Sequence, residues 1–209
     1  MNKIPKVFLG SNICIICEGD EEYEYMEKLK SLDVWSDKYR IDPKNAHGNG
    51  NIFARYQDKY QNDSYDLVLI FCDTDKKPFE QYNDIKNKIN EFHGNDDAAD
   101  LIIIFGNPCT MQIVLGHWDS VILRTHKKRE NAPIIERITG VCGYKARVDQ
   151  RREIFSKIDK ENYEEMKERV TKLPDDDTIV GSTNFDRFLE AFSQDNTTWI
   201  DEINKKLEG

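Results

Sequence analysis

Three short, almost uninterrupted apolar runs constrain this chain more than any other feature. They are Ile13-Cys14-Ile15-Ile16-Cys17, residues 67–72 (Leu-Val-Leu-Ile-Phe-Cys) and residues 101–105 (Leu-Ile-Ile-Ile-Phe). A strand with one wet face alternates apolar and polar residues. A continuous apolar run of strand length fits a strand covered on both faces, as in a parallel sheet. Between the runs the period changes. Tyr25, Met26, Leu29 and Leu32 recur at helical spacing, as do Tyr82, Ile85, Ile89 and Phe92. Strands alternating with helices predict βαβ units and an α/β fold, a mostly parallel, Rossmann-like sheet flanked by helices. Strands are expected over 7–17, 65–72 and 101–105, with a weaker one at 39–41. Helices are expected over 21–32, 52–60, 79–92 and 107–118.

After Trp118 the pattern shifts. Residues 121–126 read as one more strand, and 134–142, 151–172, 185–192 and 199–207 as helices. The expected division is an α/β domain over 1–120 and a mainly helical extension over 121–209 packed on it. Asp175-Asp176-Asp177 follows Pro174 in a turn and reads as solvated. Cys14 and Cys17 spell C-x-x-C, but on a strand they point to opposite faces and read as core residues.

The 209 residues suffice for one domain with a sizeable core. No run approaches the roughly 20 apolar residues of a membrane helix. The first ten residues hold two lysines and no apolar stretch, so no secretory signal is expected. Five cysteines, an odd number outside any disulfide-rich pattern, point to a reducing cytoplasm.

The sheet carries the chemical expectation. Right-handed crossovers bring the C-terminal ends of parallel strands to one edge, where ligands of such sheets bind. Glu18 follows the first strong run, and Asp73 and Asp75 follow the second. The Asp-x-Asp spacing sets two carboxylates on one side of an extended segment. Three carboxylates at one edge suit Mg2+ or Mn2+, which prefer hard oxygen ligands. Glu18 could instead act as a general acid or base. Glu22, in the first turn of the next helix, is a fourth candidate ligand.

These residues resemble a known family. Ile15-Ile16-Cys17-Glu18-Gly19-Asp20-Glu21-Glu22 resembles the strand–EGxxE motif of Toprim domains. Val68-Leu69-Ile70-Phe71-Cys72-Asp73-Thr74-Asp75 resembles their strand ending in DxD. Phe105-Gly106-Asn107-Pro108-Cys109, leading to Leu115-Gly116-His117-Trp118, is similar to the Asn-Pro-Cys stretch of RloB-like proteins, small Toprim-containing proteins of restriction and phage-defence loci. Tyr144-Lys145 resembles a Tyr-Lys element there. The likeness spans roughly residues 10–150. It implies a Toprim-like fold, Mg2+ or Mn2+ at Glu18, Glu22, Asp73 and Asp75, and phosphodiester chemistry with Glu18, Asp73 and Asp75 as catalytic residues. The sequence departs from the family where Phe-Glu is replaced by Thr110-Met111, which puts catalytic activity in question.

The net charge of −9 argues against indiscriminate nucleic-acid binding. Residues 124–152, however, hold nine Lys/Arg against Glu130, Glu136 and Asp149, a segment of +6 on a remainder of −15. Such a strip can guide a DNA or RNA backbone, or be a solvated helical face. Asn107, His117, Lys127, Lys128 and Lys145 are the candidate substrate contacts. Asn107 also reads as a helix cap, and His117 as a core histidine. Three functions stay open: a nuclease of an anti-phage defence system, a non-catalytic nucleotide- or nucleic-acid-binding module regulating a defence partner protein, and a structural subunit with ordinary loop acids.

Overall fold

The computed structural model describes residues 10–74 and 80–208. Four strands form one all-parallel sheet in the order β2-β1-β3-β4. They are β1 (Ser11–Cys17), β2 (Tyr39–Asn45), β3 (Leu67–Asp73) and β4 (Ile103–Gly106). Every residue of β3 is buried, as its continuous apolar run requires. The edge strand β2 alternates exposed and buried residues at its start and holds Pro43, whose missing N–H an edge tolerates. It extends beyond the expected 39–41, because pairing with β1 continues through polar residues to Asn45.

The helices between the strands are α1 (Asp20–Ser31), α2 (Ile52–Asn62), α3 (Glu80–His93) and the short α4 (Ala98–Ile102). Residues 101–102 therefore belong to a helix, not to the expected third strand. Asn90 anchors that turn, accepting from the Ala99 N–H and donating to the Asp96 carbonyl. Beyond β4 come α5 (Met111–Val114) and a 3-10 turn at Leu115–His117, in place of one helix over 107–118.

Residues 121–126 form no strand. The Leu123 N–H donates to the Gln112 side chain, and the Gln112 amide donates to the Val121 carbonyl, so a buried glutamine takes the place of a neighbouring strand. Helix α6 runs Lys128–Thr139 and stops at Gly140, whose φ of 76° suits glycine. The expected helix over 151–172 is two, α7 (Val148–Ser156) and α8 (Lys160–Val170). Asp159 separates them by capping the Asn162 N–H at 2.9 Å. Helices α9 (Phe185–Ser193) and α10 (Thr198–Leu207) close the chain.

One cluster of buried side chains runs from Ile13 to Leu207, so the helical third shares its core with the sheet. Phe185 stacks on Phe71 of β3 at 5.7 Å, and Thr183 bridges to Gly106 at the end of β4. Cys14 and Cys17 are free and fully buried, as expected. Among the described residues no helix is long and apolar enough to cross a membrane.

Candidate functional site

The parallel register sets the site. Cys17 lies opposite Phe71, and the Glu18 N–H carries the ladder one step further, onto the Phe71 carbonyl at 2.9 Å. The Glu18 side chain then reaches across. Its Oε2 accepts the Asp73 backbone N–H at 3.0 Å, tying the ends of β1 and β3 together. Glu22 arrives from the first turn of α1, where the helix dipole favours a carboxylate. Its Oε2 accepts the Gly19 N–H at 3.0 Å, as in a capping box.

A residue from a third element joins them. The Thr110 hydroxyl lies 2.7 Å from Glu22 Oε1 and 2.9 Å from Asp73 Oδ1. The Thr110 backbone N–H also donates to Asp73 Oδ1, at 2.6 Å. Gly106 makes this approach possible. It pairs with Asp73 in register, and a Cβ there would stand 2.9 Å from the Cys109 backbone. Only a bare α-carbon lets the 106–110 turn fold back over the strand end. Glu22 and Asp73 are 3% and 7% exposed, and Thr110 is fully buried.

The negative charge of the cluster is felt nearby. The Cys72 thiol is pushed well up, first by burial and then by Glu18, Asp73 and Glu22. Among the described residues no group of three His, Cys, Asp or Glu is already gathered as a metal-holding set. Glu18, Glu22 and Asp73 instead form a hydrogen-bonded chain through backbone N–H groups and Thr110. Their donor chemistry still fits Mg2+ or Mn2+, since all three offer hard carboxylate oxygens at one strand edge.

The remaining candidates divide. Asp75 lies outside the described residues. Asn107 follows β4 directly but is fully buried, with Nδ2 donating to the Asp177 carbonyl at 2.7 Å, and it holds the 177–182 loop rather than capping a helix. His117 takes the place of the core histidine, its other reading. It is fully buried, with Nε2 3.0 Å from the Tyr25 hydroxyl and Nδ1 2.9 Å from Asn162 Oδ1. Burial pushes its pKa down to about 4, so the ring is neutral at pH 7. Lys127 is exposed and paired with Glu130 at 2.9 Å. Lys128 starts α6. Lys145 is exposed, and the preceding Tyr144 donates to Glu21 Oε2 at 3.1 Å, so this stretch runs beside the first turn of α1. Asp177, expected to be solvated, pairs with Lys86 at 2.7 Å.

Part of the basic segment is taken up in ion pairs, Lys127 among them. Arg137 pairs with Asp119, Arg147 with Asp149, and Arg151 with Glu24 and Asp20. Arg151 is 5% exposed and also donates to the Ala146 carbonyl, so it fastens α7 to α1. Arg124, Arg129, Lys145 and Arg152 are exposed and make no ion pair among the described residues. A cleft of about 750 Å³ opens beside Asp20, lined by Tyr23, Lys44, His47, Val148 and Arg152 among others.

The roles of Thr110, Gly106 and Arg151 escaped the sequence reading. One signal was available for Thr110. It follows the end of the third strand by the same topological rule that marked Asp73. Compared with protein-family models, curated proteins and solved structures, the chain matches none.

Proposed function

We propose that the edge formed by Glu18, Glu22 and Asp73 binds Mg2+ or Mn2+ and acts on phosphodiester bonds of DNA or RNA, as a Toprim-type, RloB-like nuclease of a defence system. One observation carries this reading: three carboxylates from two strand ends and a helix start meet at the ligand-binding edge of a parallel sheet, two of them on one buried hydroxyl. The chemistry such an ion supplies is activation of a water and neutralisation of charge at phosphorus. The chain's own part is orientation: the Gly19, Asp73 and Thr110 N–H groups and the Thr110 hydroxyl hold the three side chains at the strand ends. The cleft beside Asp20, at the start of the helix that carries Glu22, has the exposed Arg152 in its wall.

The test is incubation of purified chain with Mn2+ or Mg2+ and labelled DNA and RNA, with Asp73→Ala as control. Metal-dependent cleavage by wild type alone supports the proposal. Absence of cleavage of either polymer by wild type contradicts its catalytic part.

A second reading is a metal-dependent binding module without turnover. It is favoured by Met111, an apolar residue 1% exposed where the resemblance has a carboxylate. Mn2+ binding that Asp73→Ala abolishes, with no cleavage of either polymer, selects it.

A further inference from the structure

Thr110 occupies the N-cap position of α5, where a threonine ordinarily spends its hydroxyl on the helix's first N–H groups. Here it makes no such bond. The Ile113 and Val114 N–H groups are met by the Thr110 backbone carbonyl, at 3.0 and 3.1 Å. The hydroxyl is turned the other way, onto Glu22 Oε1 and Asp73 Oδ1. It is fully buried, so no water competes for it.

We propose that Thr110 is the positioning residue of the carboxylate site, its hydroxyl locking Glu22 of the helix to Asp73 of the strand. The inference rests on the metal-binding reading above. Glu22 and Asp73 belong to elements with no backbone ladder between them. Two carboxylates this close repel, and a donor between them offsets that repulsion. The hydroxyl oxygen stands within hydrogen-bond distance of both, which keeps both on one centre. The Thr110 N–H donates to Asp73 and the Gly19 N–H to Glu22, whereas the Thr110 hydroxyl reaches both. Mg2+ and Mn2+ demand tightly defined oxygen geometry, so a spread of this pair weakens them more than it weakens a larger, more tolerant ion. Groups that orient ligands without touching the ion typically change affinity 10–100-fold.

The experiment measures Mn2+ affinity by electron paramagnetic resonance on wild type, Thr110→Val, Thr110→Ser and both in a Glu22→Gln background. Near-ultraviolet circular dichroism checks that each is folded. The expected result is a loss of roughly 10–100-fold in Thr110→Val and less than about threefold in Thr110→Ser. The Thr110→Val loss should shrink in the Glu22→Gln background, because the partner it acts through is already altered. A merely structural threonine would give the same loss in both backgrounds. Equal affinity in wild type and Thr110→Val, or equal losses in the valine and serine variants, overturns the inference while the metal site stands. A wild-type chain that binds no Mn2+ overturns the site reading and this inference together. If Thr110→Val does not fold, Thr110→Ala against Thr110→Ser decides: a tenfold gap supports the role, and a gap under threefold overturns it.

Discussion

The carboxylate edge and the basic segment over 124–152 both stood out as clusters of like charge, yet the chain treats them in opposite ways. Asp73 lies more than 50 residues from Glu18 and Glu22 in sequence, yet hydrogen bonds to backbone N–H groups and one hydroxyl link the three, with Glu22 and Asp73 buried and Glu18 half-buried. The arginines and lysines come from one stretch and are dispersed. Arg137, Arg147 and Arg151 are each given acids of their own. Topology concentrates the first cluster, and ion pairing takes up part of the second.

The largest expected effect breaks the comparison at the acidic side. Asp73→Asn should lower Mn2+ affinity by roughly 100-fold or more, beyond what orienting groups alone contribute. Titration calorimetry reads this, and an affinity within threefold of wild type would put the carboxylates back among ordinary loop acids.

His117 sharpens the comparison, as a polar residue that came from the same stretch as Thr110 but turned inward. Its folded pKa of about 4 lies below the ordinary value of 6.5, so the unfolded chain takes up a proton between these values and the folded chain does not. Stability is therefore complete above about pH 6.5 and falls as pH drops towards 4, by up to about 3 kcal/mol. His93, also lowered by burial, adds in the same direction. Urea unfolding at several pH values should show the loss in wild type and a smaller one in His117→Gln. An identical pH slope in the two proteins would contradict this placement.

Gly106→Ala should cost about 1–3 kcal/mol, because the added Cβ meets backbone that cannot swing away. The same variant should weaken Mn2+ binding, since the turn it props open carries Thr110. Chemical denaturation and calorimetry on one preparation check both. A neutral substitution would mean the turn closes over Asp73 in some other way.

The smallest effects belong to the basic side. With Arg124, Arg129, Lys145 and Arg152 as the described exposed residues of the segment without ion pairs, the salt dependence of duplex binding should be shallow. A slope of log affinity against log salt no steeper than about −4 is expected, near −0.9 per phosphate contact. A slope near −8 would show that the paired arginines are released on binding. Lys127→Ala, at an exposed residue paired with Glu130, should change stability by less than about 0.5 kcal/mol.

The contrast also explains what the sequence could reveal. Buried parallel strands announce themselves through runs such as residues 67–72, because both faces must be apolar. Once those runs are seen, the placing of Glu18 and Asp73 follows from topology. Elements whose form depends on tertiary hydrogen bonds carry no such signal. Residues 121–126 are apolar enough for a strand, but Gln112 takes their hydrogen bonds. Residues 151–172 keep a helical composition throughout, yet the Asp159 cap divides them. Thr110 is likewise silent, since a threonine beside a helix start reads as a cap until its hydroxyl is seen facing away. Arg151 read as one more surface charge, because a partner 127 residues away leaves no local pattern.

The central claim is that these carboxylates gather to hold a divalent ion. Crystals of the chain soaked in Mn2+ and measured for manganese anomalous scattering test it most directly. The account predicts one strong peak at the ends of β1 and β3, within about 2.5 Å of oxygens from at least two of Glu18, Glu22 and Asp73. A difference map with no peak there, at Mn2+ concentrations that occupy ordinary surface carboxylates, would contradict it.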